Sequence, residues 1–151
     1  MKILVDADAF PRPARDILIR ASKRLEIPVT FVANRLVRLP PSELLSSVIA
    51  PEGPDQADDM IVELAASEDL IITADIPLAD RVVQKGAVAL DPRGTLHTTD
   101  TIKERLATRD LMANLRDVGL VTGGPPPFST PDTQAFADAL NRFLTSRSRS
   151  D

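Results

Sequence analysis

Five aspartates in three short stretches are the residues of this chain best suited to chemistry. They are Asp6 and Asp8 after a first apolar run, Asp58 and Asp59 at the start of a predicted helix, and Asp75 after a later apolar run. In open parallel sheets, ligands bind in the crevice beyond the carboxyl ends of the strands. Carboxylates gathered there, in a chain without cysteine, favour a hard divalent cation such as Mg²⁺ or Mn²⁺ held by oxygen. The spacing therefore predicts a metal centre.

Each of these aspartates also has an ordinary structural interpretation. Asp6 could cap the following helix or pair with a nearby arginine, and Asp8 could lie past the end of the strand. Acidic residues in the first turn of a helix are favoured by the helix dipole, which by itself accounts for one of Asp58 and Asp59. Asp75 could cap the helix that follows it. The sequence leaves open which member of the adjacent pair faces the site.

Several basic residues could bind the phosphates of a substrate. Arg93 lies in a turn after a predicted strand and would border the same crevice. Arg105 and Arg109 lie along a predicted helix, where the alternative is that they are ordinary solvated residues. His97 is the single histidine, so a zinc site is not expected and a surface or strand-edge position is predicted.

Strand and helix signals alternate along the first half of the chain, which is typical of a parallel sheet with helical crossovers. Strands are predicted at 2–6, 29–33, 47–50, 70–73 and 87–90, and helices at 13–25, 57–65, 78–85, 99–118 and from 131 onward. We expect the fourth helix to bury Ile102, Leu106, Leu111, Leu115 and Val118, and the last, capped by Thr130, to bury Phe136, Leu140, Phe143 and Leu144. The glycines and prolines at 123–127 are expected to break the chain between these two helices.

The predicted organisation is one α/β domain over residues 1–145, followed by a disordered tail at 146–151. Composition supports an ordinary globular protein, with 43% hydrophobic and 26% charged residues among 151. The absence of cysteine excludes disulfides, thiolate zinc sites and cysteine nucleophiles. No segment has the apolar length of a membrane helix or the pattern of a signal peptide, so a cytoplasmic location is expected.

Two bulk properties argue against a typical nucleic-acid binder. The formal net charge is −4, and aromatic residues make up 3% of the chain, all of them phenylalanine. Binding platforms for nucleic acids usually combine excess positive charge with aromatic faces. The charge balance is not decisive, because a metal site concentrates acidic residues that bound cations neutralise.

Six motifs taken in order resemble the YaiI/YqxD family of bacterial proteins. They are DADAFPRP, GPDQADDMIVELA, ITADIPLAD, LDPRG, TGGPPPFS and QAFADALNRFL, and the resemblance runs from residue 1 to about residue 144. The family usually has cysteine where this chain has Phe10, so no shared chemistry is expected to need a thiol there.

The family is similar in fold to PIN-like domains, which include metal-dependent ribonucleases. The resemblance implies a three-layer PIN-like domain with a mostly parallel central sheet flanked by helices, plus C-terminal helices. It matches the PIN acidic positions to Asp6, to Asp58 or Asp59, and to Asp75 in a T-x-D motif. The mid-chain glutamate of PIN domains has no clear counterpart, with Glu43 and Asp8 as possible substitutes.

The leading functional hypothesis is a Mg²⁺- or Mn²⁺-dependent nuclease that hydrolyses RNA or single-stranded nucleic acid. One alternative is a non-catalytic metal- or RNA-binding module that keeps the fold. A weaker one is a phosphatase that forms an aspartyl-phosphate on Asp6, with Asp8 as the acid. Here Phe10 replaces the threonine or valine expected after the D-x-D motif, which counts against that chemistry.

Overall fold

The computed structural model describes residues 1–120 and 127–150. Its elements follow the order β1 (Ile3–Asp6), α1 (Arg12–Leu25), β2 (Val29–Ala33), β3 (Leu45–Ile49), α2 (Gln56–Leu64), β4 (Leu70–Ile72), α3 (Ile76–Gln84), β5 (Val88–Leu90), β6 (Leu96–His97), α4 (Ile102–Asp117) and α5 (Thr130–Ser150). The predicted break at 123–127 falls almost wholly outside the described residues.

One six-stranded sheet runs through the molecule in the order β3-β2-β1-β4-β5-β6. The first five strands are parallel, and only β6 pairs antiparallel with its neighbour. The chain moves outward from β1 through β2 to β3 and then returns to place β4 on the other side of β1. The order therefore reverses between β1 and β4, which is where doubly wound folds form a ligand crevice.

Two apolar cores lie on opposite faces of the sheet, because successive side chains of a buried strand point to opposite faces. Ile3 and Val5 of β1 face the core formed with α1 and α5. Leu4 between them faces the core formed with α2 and α3. The result is the predicted three-layer α/β domain of PIN-like type, with a mostly parallel sheet between two helical layers.

The predicted burial of α4 is wrong for most of its residues. Ile102 is fully buried, but Leu111 is 57% exposed and Val118 is 68% exposed. Leu106 and Leu115 are half-buried. Because α4 follows the edge strand β6 and packs against α3, only its first turn reaches the core, and an apolar stripe at helical spacing does not by itself show that a partner covers it.

The last helix begins with a different cap from the one predicted. At its start the cap is Ser129 rather than Thr130, because the Ser129 amide and hydroxyl both donate to Asp132, each over 2.9 Å. At its other end α5 extends to Ser150. Arg147 fixes this last part, since its guanidinium donates to the Glu68 carbonyl over 2.9 Å and lies over the Phe143 ring. Phe136, Leu140 and Leu144 are buried as predicted, while Phe143 is half-buried.

Among residues 1–120 and 127–150, no helix combines the length and apolar character needed to cross a membrane.

Candidate functional site

Carboxylates from three separate segments lie near the reversal of strand order. Asp6 is the last residue of β1, and Asp75 follows β4 and caps α3. Asp58 lies in the first turn of α2, which connects the two halves of the sheet. Each of these three carboxylates lies close enough to the others to influence a titration in the cluster. Asp6, Asp58 and Asp75 therefore lie near enough to one another for their charges to interact.

Thr73 joins the ends of β1 and β4. Its hydroxyl donates to Asp6 Oδ2 over 2.8 Å and accepts from the Asp75 amide over 3.0 Å. The parallel register pairs Val5 with Ile72. The residues that follow them, Asp6 and Thr73, therefore lie side by side. Thr73 is 1% exposed, which keeps this link away from water. It holds one oxygen of Asp6 and the start of the turn that carries Asp75.

Burial and like charge raise the pKa values of two of these carboxyl groups. The pKa of Asp6 is raised by burial and by the nearby Asp75 and Asp8, against the opposing hydrogen bond from Thr73. The pKa of Asp58 is raised to about 6 by burial, by Asp75 and by Asp6. Repulsion of this kind means that the site has more negative charge than its protein neighbours compensate.

Asp59 has a different environment from its neighbour Asp58. Its carboxylate forms an ion pair with Arg81 of α3, with 2.9 Å between Asp59 Oδ1 and Arg81 Nη1. Both side chains are largely exposed. Arg81 also has a lowering effect on the pKa of Asp58, smaller than the effects that raise it. Of the two aspartates left open by the sequence, the structure places Asp58 with the other acids and Asp59 in a link between α2 and α3.

Asp8 lies near the cluster but is engaged elsewhere. Its two carboxylate oxygens accept from the Asn34 amide at 3.1 and 3.3 Å, which ties the loop after β1 to the loop after β2. Its charge still contributes to the raised pKa of Asp6. The other substitute considered for a mid-chain acid, Glu43, precedes β3, and Leu45 of β3 pairs with Val29 at the start of β2. Glu43 therefore lies near the amino ends of the strands, whereas Asp6 and Asp75 lie at the carboxyl ends.

The donor chemistry of the cluster fits a hard divalent cation, although the side chains are not gathered as a closed site. All candidate ligands are carboxylate oxygens, and their mutual repulsion is the kind that a cation relieves. No three histidine, cysteine, aspartate or glutamate side chains within 1–120 and 127–150 are arranged to hold a metal ion. Asp75 uses Oδ1 to accept from the Leu78 amide over 3.1 Å, as a helix cap does.

Arg93, predicted to bind a substrate phosphate, is held within the protein. Its guanidinium contacts Asp132 Oδ2 at 3.2 Å and lies 5.9 Å from the centre of the Phe128 ring. The next residue of the turn is Gly94, where a Cβ atom would come within 2.8 Å of the Ala135 carbonyl. Arg93 thus helps to fasten the β5–β6 turn against the start of α5.

Arg105 and Arg109, the other predicted phosphate ligands, lie on α4. Arg109 pairs with its neighbour Asp110 at 3.1 Å, and the charge of Arg105 acts on His97. No contact within the described part of the chain connects either arginine with Asp6, Asp58 or Asp75. His97 is in the edge strand β6, one of its two predicted positions, but is 1% exposed rather than at the surface, and burial lowers its pKa.

Two residues of the site were not recognised from the sequence. Thr73 was noted only as part of the T-x-D motif, although its position one residue past a strand beside Asp6 indicates the hydrogen bond. Arg81 gave no signal, since its pairing with Asp59 depends on how α2 and α3 pack.

Comparison with known proteins gives a consistent picture. The family model described as "Uncharacterized BCR, YaiI/YqxD family" matches residues 4–146. The chain is 54% identical over 145 residues to a UPF0178 protein of Trichlorobacter lovleyi, covering 96% of this chain and 94% of that one. It is 52% identical over 149 residues to a UPF0178 protein of Bordetella petrii, covering 99% of both. A search of solved structures finds no match. The motifs quoted from the sequence were therefore read correctly, and the chain belongs to the YaiI/YqxD family.

Proposed function

We propose that this protein is a divalent-metal-dependent nuclease that hydrolyses phosphodiester bonds of RNA or single-stranded nucleic acid. The observation that carries the proposal is the electrostatic coupling of Asp6, Asp58 and Asp75 at the reversal of strand order. Carboxyl groups whose pKa values are raised by burial and by neighbouring carboxylates, as those of Asp6 and Asp58 are, are characteristic of functional sites. A cytoplasmic location is part of the proposal.

The three carboxylates would hold Mg²⁺ or Mn²⁺, which when bound supplies the charge that activates water and stabilises the developing negative charge of the phosphate. Asp6 is pre-oriented for this role, because the buried Thr73 hydroxyl fixes one of its oxygens. Asp75 has one oxygen engaged in the helix cap, which fixes the side chain in the crevice. The pKa of Asp58 is raised by burial and by the negative charges of Asp75 and Asp6, so a bound cation would favour its ionised form.

The proposal is tested by measuring cleavage of a fluorescently labelled single-stranded RNA with Mn²⁺, with Mg²⁺ and with chelator. The variants are Asp6→Asn and Asp75→Asn, and the latter keeps the helix cap because asparagine caps as well as aspartate. We expect metal-dependent cleavage that falls on the order of 100-fold in each variant. Asp100→Asn, an exposed aspartate of the loop before α4, is the matched control and should cleave at the original rate.

Three outcomes would count against a nuclease. Cleavage that survives both substitutions would come from a contaminant. Turnover of a chromogenic phosphate monoester alone, lost in Asp6→Asn, would favour the aspartyl-phosphate phosphatase. Absence of turnover with thermal stabilisation by Mn²⁺ that is lost in Asp75→Asn would favour the metal-binding module, since a ligand that binds only the folded state raises its stability.

A further inference from the structure

A second concave surface lies beside β1, on the face of the sheet covered by α1. It is a cavity of about 380 Å³ between the loop after β1, the first turns of α1 and the loop after β2. We call it the arginine pocket after the four arginines in its lining, Arg12, Arg15, Arg35 and Arg38. The first two come from the start of α1 and the other two from the β2–β3 loop.

The positive charge of the arginine pocket has almost no compensation from the protein. The side chains of Arg12, Arg35 and Arg38 form no ion pair with any residue of the described chain. Arg15 lies 3.8 Å from Asp16, a long contact to a half-exposed carboxylate. The Nε atom of Arg15 is buried, with no hydrogen-bond acceptor among the described protein groups. Four guanidinium groups around one small cavity repel one another unless an anion lies between them.

The walls of the pocket are held by hydrogen bonds that do not involve the arginines. Asp8 accepts from the Asn34 amide at 3.1 Å and so joins the loop that leads into α1 to the loop that carries Arg35 and Arg38. The Val37 amide donates to Ser47 Oγ over 3.0 Å, which fastens the second loop to β3. The arginines therefore project from a frame that exists without a ligand, which lowers the entropic cost of binding.

The floor of the pocket is apolar. The half-buried Phe10 lines it together with small and aliphatic side chains, while the neighbouring Phe31 is fully buried and offers no surface to a ligand. A ligand that fits must therefore combine a strongly negative group with an apolar or flat body. The guanidinium group binds phosphate through paired N–H donors, and a phosphate monoester offers three acceptor oxygens and close to two negative charges.

We propose that the arginine pocket binds a nucleotide by its terminal phosphate, with the base or sugar against Phe10. The cavity is at the lower end of the size range of small-molecule sites, which suits a single nucleotide. The same chemistry is offered by a free mononucleotide and by the phosphorylated end of a strand. Neither a metal ion nor turnover at the carboxylates is needed for this binding, so the proposal extends beyond the proposed function.

Nucleotide binding is measured by isothermal titration calorimetry, with chelator present and at fixed ionic strength. The free-nucleotide probes are adenosine 5′-monophosphate and adenosine 3′-monophosphate, compared with adenosine. The strand probes are a short RNA oligomer with a 5′-phosphate and the same oligomer with a 5′-hydroxyl. We expect the phosphorylated member of at least one set to bind on the order of tenfold tighter than its unphosphorylated counterpart.

The variants Arg12→Gln/Arg15→Gln and Arg35→Gln/Arg38→Gln should each remove this preference. The matched control is Arg20→Gln/Arg142→Gln, which removes the same charge from exposed positions outside the pocket and should keep it. Arg15→Lys keeps the charge but not the paired donors, and should weaken phosphate binding less than the double variants. Because Arg35 and Arg38 are exposed loop residues, their double variant is expected to fold, and its melting temperature verifies this.

The outcomes separate the two sources of the nucleotide. Preference confined to the mononucleotides identifies a free nucleotide as the ligand, and preference for the phosphorylated oligomer identifies a strand end. The proposal is overturned if phosphate gives no preference in either set, or if the arginine variants and the control lose it equally. Citrate binding as tightly as the phosphorylated probes would also overturn it, because the pocket would then be a general anion site. Failure of the nuclease assay leaves these results unaffected.

Discussion

The two ends of the β1–β4 strand pair contain aspartates in opposite electrostatic situations. At the amino end, Asp69 accepts from the Lys2 side chain at 2.6 Å, from the Lys2 amide at 3.1 Å and from the Ala66 amide at 2.9 Å. At the carboxyl end, Asp6 accepts from the neutral Thr73 hydroxyl and lies near three other carboxylates. Lys2 and Asp69 directly precede β1 and β4, whereas Asp6 ends β1 and Thr73 directly follows β4.

Burial raises the pKa of both carboxyl groups, so the neighbouring groups decide whether the net pKa shift is upward or downward. For Asp69, burial would raise the pKa, but the Lys2 and Ala66 hydrogen bonds outweigh it and hold the pKa below 3.8. For Asp6, burial together with like charge outweighs the single Thr73 bond and raises the pKa. A fully compensated buried carboxylate is a structural feature, whereas an uncompensated one at a crevice indicates a site for a cation.

This contrast predicts opposite stability effects for the same substitution at the two ends. Asp69→Asn removes the charge that Lys2 and two backbone amides stabilise, so the free energy of unfolding at neutral pH should fall by about 2 kcal/mol. Asp6→Asn removes a repelled charge and should leave stability unchanged or slightly increased. Urea unfolding at pH 7.5, with chelator present, measures both.

The contributions of Asp69 and Asp6 to the free energy of unfolding change with pH in opposite directions. The folded-state pKa of Asp69 is lowered, so its stabilisation is present above about pH 4 and is lost as the pH falls through the lower folded value. The folded-state pKa of Asp6 is raised, so its contribution is favourable in acid and is lost as the pH rises. If Asp69→Asn and Asp6→Asn lose the same free energy of unfolding at neutral pH, the two ends of the strand pair do not differ in this way.

Asp58→Asn is expected to change the free energy of unfolding by less than Asp69→Asn does. Because its folded-state pKa is about 6, against an ordinary value of 3.8, the ionised carboxylate destabilises the folded protein above that range. Asp58→Asn should raise the free energy of unfolding at pH 7.5 by on the order of 1 kcal/mol, after allowance for screening of a partly exposed group. The gain should be smaller at pH 5, and thermal unfolding at both values measures it. A gain that is the same at both would place the cause outside the titration of this carboxyl group.

Asp59→Asn is expected to change the free energy of unfolding by the smallest amount. Asp59→Asn breaks an exposed ion pair with Arg81, so stability should fall by less than about 0.5 kcal/mol. If the nuclease proposal holds, this variant should also keep its cleavage rate while Asp58→Asn loses it. Loss of cleavage in both would mean that Arg81 and Asp59 together position α2.

Much of the fold follows from local sequence signals. The strand at 29–33 was predicted with its observed bounds, and the helix predicted at 13–25 begins one residue earlier. These segments have clear apolar periodicity and lie between prolines. The burial of α4 was mispredicted because its spacing, with Leu111 and Val118 on the stripe, is the same whether or not another element covers it.

The candidate site was predictable only in part. Asp6 and Asp75 follow buried strands, and a parallel sheet brings the carboxyl ends of its strands to one edge whatever else the chain does. Arg93 also follows a strand, yet α5 returns to that turn and binds the guanidinium through Asp132. Because that contact joins residues 39 positions apart, no local pattern indicates it.

The sequence by itself determined the family, the order of elements apart from the short strand β6, and the set of aspartates that could hold a cation, because these depend on residue type and local periodicity. Only the tertiary structure decided that Asp58 rather than Asp59 lies with Asp6 and Asp75, since the packing of α2 against α3 sets which side chain meets Arg81. It also brought arginines from two separate segments around one cavity. Asp6 and Asp8 thus lie between the acidic cluster and the arginine pocket, whose lining includes the adjacent Ala7 and Ala9.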